Sequence, residues 1–225
     1  MAAAATSGIS IKDYQLPDET HNEYDVTFFD TKIHTLVTHT ASVVDQWLHQ
    51  VKSSSSSSSA SAAGTQPSLM IGLDIEWRPS FNRHIQNPVA TLQLSVASHC
   101  LIFQLVHCPA LPPSLAEFLG DPRHVFVGVG IESDAEKLLE DHELLVRNTV
   151  DLGALAAERL GEGRLRGAGL KQLAKEVLGK EVSKPKQVTM SRWDNPWLTP
   201  AQVKYASLDA ILSFLIGKQL NALPN

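Results

Sequence analysis

Hydrophobic positions change their period several times along this chain. Tyr24 to Phe29 and Lys32 to Thr38 are β-branched or aromatic runs broken by Asp30-Thr31, which predicts a β-hairpin. Ala41 to Lys52 places Val43, Val44, Trp47, Leu48 and Val51 at helical spacing. The serine run Ser53 to Ser59 continues into Ala60-Ser61-Ala62-Ala63-Gly64 and has nothing to bury, so 53–66 is expected to be a flexible loop. Met70 to Trp77, Val89 to Val96 and Cys100 to Leu105 read as three core strands on short connections, an antiparallel meander with its turn at Ala97-Ser98-His99. There follow a short helix from Pro113 to Leu119, a buried strand Val125 to Gly128, an amphipathic helix Ile131 to Leu139 and a short strand Val146 to Val150. Leu152 to Leu160 and Leu170 to Leu178 are helical, separated by a glycine-rich stretch, 161–169, expected to be a mobile loop. Thr199-Pro200-Ala201-Gln202 is a capping box with Pro at the first helical position, opening a last helix to about Leu220. Strands first, then alternation, then helices predict an α/β fold: a mixed sheet flanked by helices, with the hairpin as an N-terminal extension.

Composition adds bounds. The 225 residues suit one domain, expected over 21–225, preceded by a poorly ordered arm over 1–20. No run approaches the ~18 apolar residues that span a bilayer, so no membrane partner is expected. The first residues lack a basic stretch leading into an apolar one, unlike a secretory signal. Two cysteines, Cys100 and Cys108, make no disulfide framework, which points to a reducing compartment, nucleus or cytosol. The net charge of −5 counts mildly against non-specific nucleic-acid binding. The distribution matters more. Arg159 to Arg192 carries nine Lys or Arg against three Glu, a local excess of +6 that leaves about −11 for the rest of the chain.

Two carboxylates interrupt the apolar run Met70-Ile71-Gly72-Leu73-Asp74-Ile75-Glu76-Trp77. A strand has period 2, so Asp74 and Glu76 share a face roughly 7 Å apart. Burying both is costly, and a divalent cation between them reverses that cost. The alternative is an exposed acidic pair at a strand end. Trp77 should face the other way, into the core. In the last helix Tyr205 and Asp209 lie one turn apart on one face, as a site or as a surface pair. Asp151 reads as a helix N-cap. Arg164, Arg166, Lys184, Lys186 and Arg192 fall between helices, where they can meet phosphates or simply water. Trp193 and Trp197 can stack bases, though core packing competes for at least one of them.

Taken together these segments resemble the DEDD 3′–5′ exonucleases of the tyrosine subgroup. Leu73-Asp74-Ile75-Glu76-Trp77 resembles their first motif, Phe126 to Asp134 the second, and Tyr205-Ala206-Ser207-Leu208-Asp209 the third. The Gly128-Val129-Gly130-Ile131-Glu132 run, the segment from Asn82-Arg83 to Gln93-Leu94, and Leu178-Gly179-Lys180 are similar to the Werner syndrome exonuclease-like branch. The serine-rich insert and the hairpin before it resemble small stand-alone plant members. The likeness covers about residues 22 to 220.

That resemblance implies an RNase H-like fold and metal-dependent removal of nucleoside 5′-monophosphates from the 3′ end of DNA or RNA. It implies that Asp74, Glu76, Asp134 and Asp209 bind two Mg²⁺ or Mn²⁺ ions, with Glu132 a rival to Asp134 outside the family spacing. Tyr205 would position the attacking water; a phenol with an ordinary pKa near 10 is not expected to act as a full base. Nucleic acid is the expected partner, single-stranded or 3′-recessed, with room for a homo-oligomer and for a protein that supplies substrate. A nucleic-acid-binding scaffold of the same fold without turnover is the competing expectation.

Overall fold

A computed structural model of the chain describes residues 8–16, 19–56, 68–80, 82 and 84–223. Among these residues eight strands form one continuous sheet: β1 Ile9–Asp13, β2 His21–Phe28, β3 Thr31–Thr38, β4 Met70–Trp77, β5 Val89–Val96, β6 His99–Phe103, β7 Val125–Gly128 and β8 Thr149–Asp151. Their order is β1-β2-β3-β6-β5-β4-β7-β8. The meander β4-β5-β6 is antiparallel, as its short connections require. β7 and β8 add in parallel beside β4. The N-terminal hairpin extends this same sheet, because β3 pairs in parallel with β6 and carries β1 and β2 with it.

Among the described residues seven α-helices cover the sheet: α1 Ala41–Ser56, α2 Pro113–Leu119, α3 Ile131–His142, α4 Leu152–Leu160, α5 Leu170–Leu178, α6 Lys186–Thr189 and α7 Pro200–Gln219. Strand alternation divides the core into two layers. Ile71, Leu73 and Ile75 face α1, α2 and α3, packing with Trp47, Leu48, Phe118, Ile131 and Leu138. Met70 and Val127 face α4, α5 and α7, packing with Leu152, Leu173, Ile211 and Ile216.

The way α7 meets β4 sets the geometry of the molecule. A Cβ on Gly72 would strike the carbonyl oxygen of Ala210 and come within 2.7 Å of the Phe214 nitrogen. Further along, a Cβ on Gly217 would press on Val127 and Met70. Glycine at both positions lets the α7 backbone lie against the sheet. The start of α7 is fixed by the capping box, with Thr199 accepting from Gln202 N at 3.3 Å and Thr199 N donating to Gln202 Oε1 at 3.0 Å.

Several sequence expectations change. Residues 9–13, expected within an unstructured arm, form β1 because Ile9 and Ile11 alternate onto the core and Tyr14 hydrogen-bonds Asp25 of β2. Residues 1–7 and 17–18 of that arm lie outside the described residues, as do 57–66 of the serine-rich segment, whose beginning instead extends α1 to Ser56. The hairpin turn is Phe29-Asp30, one residue earlier than Asp30-Thr31, and Phe29 takes φ 50° to make it. The stretch 161–169 is no loose loop: Gly163–Gly167 is a 3-10 turn pinned by fully buried Leu165. Arg164 and Arg166 sit on that turn and Lys186 opens α6, so three of the five basic residues expected in loops lie in short helical elements.

The Gly72 contact yields a stability prediction. Gly72→Ala must push α7 off the sheet, because backbone atoms cannot swing aside, and should cost about 3 kcal/mol. Urea unfolding measures it; an unchanged midpoint would show that the close approach is not required.

Candidate metal centre

β4 and α7 deliver the carboxylates. Gly72, Asp74 and Glu76 alternate onto the α7 face of β4, and the contact at Ala210 brings Asp209 opposite them. Carboxylate oxygens of Asp74, Glu76 and Asp209 all lie within 4.8 Å of one another. Asp134, in the first turn of α3, stands outside this triad but near enough for its charge to act on Asp74 and Glu76. Glu132 is exposed and reaches Asp134 only as a neighbouring charge.

The electrostatics are those of too much negative charge in too little water. Burial raises the Asp74 carboxyl well above its usual range, and the charges of Asp209, Glu76 and Asp134 push it further. Burial and then Asp209 lift Glu76 from 4.5 to about 8. Burial and then Glu132 lift Asp134 from 3.8 to about 7. Asp209 is raised by burial against the opposing pull of Lys184 and the Tyr205 hydroxyl. The Oδ2 of Asp74 is buried with no hydrogen-bond partner. An orphaned carboxylate oxygen among crowded carboxylates is the donor set a hard divalent cation takes. The residues present therefore fit a metal ion.

Tyr205 is 6 % exposed, with its ring tilted against Trp193 at 6.0 Å between centroids. Burial and Asp209 push its phenol above the ordinary value, so it stays protonated at neutral pH. Lys184 Nζ makes a 2.7 Å ion pair with Asp209 and sits 5.3 Å from the centre of the Tyr205 ring. Burial alone would lower that ammonium's pKa, yet Asp209 and then Asp74 raise it.

Of the five basic residues proposed to meet phosphates, only Lys184 is placed at the carboxylates. Arg164 pairs with Glu162 and Glu176, and Arg192 with Asp194. Arg166 and Lys186 are exposed. Trp193 is fully buried and Trp197 is 64 % exposed, so they divide between core and surface. Trp77, expected in the core, faces away from Asp74 and Glu76 as expected but is 38 % exposed, because it is the last residue of β4, where the ladder to β5 shifts register.

Sequence reasoning saw only half of what Asp151 does. Its Oδ1 accepts from Ala154 N at 2.8 Å as the N-cap of α4, while its Oδ2 accepts from Gly130 N at 2.7 Å. Gly130, at φ 70°, is the N-cap of α3. One carboxylate thus fixes the start of the helix that carries Asp134. Only the sequential half of that role leaves a spacing signal.

The model of a 3′–5′ exonuclease family matches residues 48–223. A "3′-5′ exonuclease" of Arabidopsis thaliana is 35% identical over 157 residues, covering 69% of this chain and 54% of the relative. The "Bifunctional 3′-5′ exonuclease/ATP-dependent helicase WRN" of Mus musculus is 34% identical over 155 residues, 68% of this chain and 11% of that protein. The chain thus spans about half the length of the first relative and a small part of the second. Among solved structures, the exoribonuclease RNase D of Escherichia coli superposes with a TM-score of 0.66 at 20% identity, over 83% of this chain and 44% of that one. The catalytic core of RRP6 from Trypanosoma brucei gives a TM-score of 0.65 at 17% identity, over 83% and 46%. These likenesses show the fold, which is the RNase H-like one expected.

The raised carboxyls have a consequence for stability. The native protein holds protons on Glu76 and Asp134 that the unfolded chain has released above pH 4–5. With more protons bound in the native state, stability falls as pH rises through about 5 to 8. Thermal melts in EDTA should show this fall, Mn²⁺ should remove most of it, and Asp74→Asn should melt higher than wild type in EDTA at pH 8. A metal-free melting temperature that is flat over this range would contradict the crowding.

Proposed function

The chain belongs to the 3′–5′ exonuclease family, and from that membership we propose that it hydrolyses phosphodiester bonds from the 3′ end of nucleic-acid strands, releasing nucleoside 5′-monophosphates. The observation that carries this reading is the orphaned Asp74 Oδ2 within a triad of carboxylates. A scaffold without turnover has no use for so costly a cluster.

Asp74, Glu76 and Asp209 would hold divalent metal, with Asp134 completing a second position; Mg²⁺ and Mn²⁺ both suit an all-oxygen donor set. Bound there, two ions supply an activated water and stabilise the leaving oxygen. In the reaction a water oxygen bonds to phosphorus as the P–O3′ bond breaks. Of the two water protons one passes to solvent and the other ends, by way of solvent, on the 3′-oxygen, which leaves as a hydroxyl. Tyr205 keeps its proton, so its part is to hold the water in line through a hydrogen bond rather than to remove a proton. The partly exposed Lys184 keeps its charge, and a Lys184 released from Asp209 would offer that charge to a substrate phosphate. Arg166 and Lys186 are exposed, and in this reading they meet backbone phosphates farther out. No described helix is long and apolar enough to cross a membrane. Both cysteines are free, which suits a nuclear or cytosolic setting.

Matched 5′-labelled DNA and RNA, single-stranded and 3′-recessed, should shorten stepwise from the 3′ end in Mg²⁺ or Mn²⁺ and stay intact in EDTA. Asp74→Asn and Asp209→Asn should abolish shortening while remaining folded. Tyr205→Phe should lower kcat about 100-fold with little change in KM. Intact substrates of all four kinds in both metals would overturn the proposal.

A further inference from the structure

The wall over Tyr205 is not a regular element. Between α6 and α7 the chain from Met190 to Leu198 runs largely on the surface: Met190, Arg192, Pro196 and Trp197 are exposed, and only Trp193 and Leu198 are buried. Together with Thr189 at the end of α6, this segment nevertheless closes around the phenol. The Tyr205 hydroxyl interacts with the side chains of Thr189 and Asp209, and Trp193 lies against the ring. Trp193 Nε1 donates to Thr189 O at 3.3 Å, so the two ends of the wall are tied to each other.

Two buried amides hold that segment. Gln202, 3 % exposed, lies three residues before Tyr205 on α7 and shares its face. Its Oε1 accepts from Thr199 N at 3.0 Å and from Thr199 Oγ1 at 3.1 Å, which serves the helix cap. Its Nε2 is not needed for the cap. It donates instead to Ser191 Oγ at 3.0 Å and to Arg192 O at 3.3 Å, so every donor and acceptor position of the amide is used. Gln104, also 3 % exposed, follows β6, and its Nε2 donates to Asn195 O at 3.0 Å and to Pro196 O at 3.1 Å. Three residues further on, His107 Nε2 lies 3.0 Å from Asp194 O. Burying a glutamine gives up rotamer freedom, and the carbonyls of a surface loop can be served by water. Two such anchors on one irregular segment are accounted for if its position matters to what lies beneath it.

We propose that Gln202 and Gln104 are positioning residues for the reaction. They fix the segment 189–196, and through Thr189 and Trp193 that segment holds the Tyr205 phenol where its hydrogen bond keeps the attacking water in line. The hydrogen bonds of both amides run to this segment and to the α7 cap, so loss of either leaves the metal ligands in place and lets the phenol drift. In-line geometry is sensitive to such a displacement. The inference rests on the nuclease reading for its effect on rate, though not for the placement of Tyr205.

Two variants remove the anchors with little else. Gln202→Glu keeps an acceptor suited to the capping box and loses only the Nε2 donors. Gln104→Met keeps the length of the side chain and loses both of its donors. Each is made alone and together with Tyr205→Phe, and cleavage of a 5′-labelled single strand is followed in Mn²⁺. Each single change should lower kcat roughly tenfold and leave KM within about twofold. In the Tyr205→Phe background, where no phenol hydroxyl remains to misplace, the same changes should have almost no further effect. A merely structural role would lower the rate by the same factor in both backgrounds. The second readout needs no turnover. Protein carrying 3-fluorotyrosine at Tyr14, Tyr24 and Tyr205 gives fluorine resonances, of which the one lost in Tyr205→Phe belongs to Tyr205. In EDTA that resonance should shift or broaden in both glutamine variants while the other two stay put. Unchanged kcat in both variants, rate losses that multiply through in Tyr205→Phe, or an unmoved Tyr205 resonance would overturn the proposal. A wild type that leaves strands intact sinks the nuclease reading alone, and the resonance then decides this one; cleavage that is indifferent to both anchors sinks this one alone.

Discussion

Concentrated negative charge against a hydrophobic sheet governs this molecule. Three carboxylates meet within 4.8 Å, a fourth acts on Asp74 and Glu76 from α3, and one oxygen of Asp74 has no hydrogen-bond partner. Left alone, such a cluster is held together only by protons and by Lys184. The fold must therefore force the groups together, and it does so by backbone contact. Gly72 lets α7 lie on β4, the Thr199 capping box sets where that helix starts, and Asp151 anchors the start of α3. None of these three features touches a substrate, yet each decides where a carboxylate stands.

The arrangement explains why the protein stays poised. Raised carboxyls can hold protons that a divalent cation displaces, so binding is linked to proton release. Lys184 occupies Asp209 as a tethered cation and limits repulsion meanwhile. Tyr205, buried between Trp193 and this pair, is kept a phenol by its burial and then by the charge of Asp209. The electrostatic cost and the chemistry thus arise from one cause.

Much of this was legible in the sequence, for identifiable reasons. Period-2 alternation put Asp74 and Glu76 on one face, and helical spacing put Tyr205 beside Asp209. Motif order then joined segments that spacing alone could not. What escaped notice lacked a local pattern. β1 has only Ile9 and Ile11 to mark it, and α6 is four residues long. The Lys184–Asp209 pair and the Asp151–Gly130 bond are tertiary contacts between residues with no shared periodicity. Alternation put Trp77 on the right side of β4, but periodicity carries no signal for how far the core reaches at a strand's last residue.

Crystals grown free of metal and soaked in Mn²⁺ test the central claim most directly, by anomalous diffraction at the manganese edge. Peaks are expected between the oxygens of Asp74, Glu76 and Asp209, with Lys184 withdrawn from Asp209. A map without density at these carboxylates, with Lys184 still paired, would contradict it.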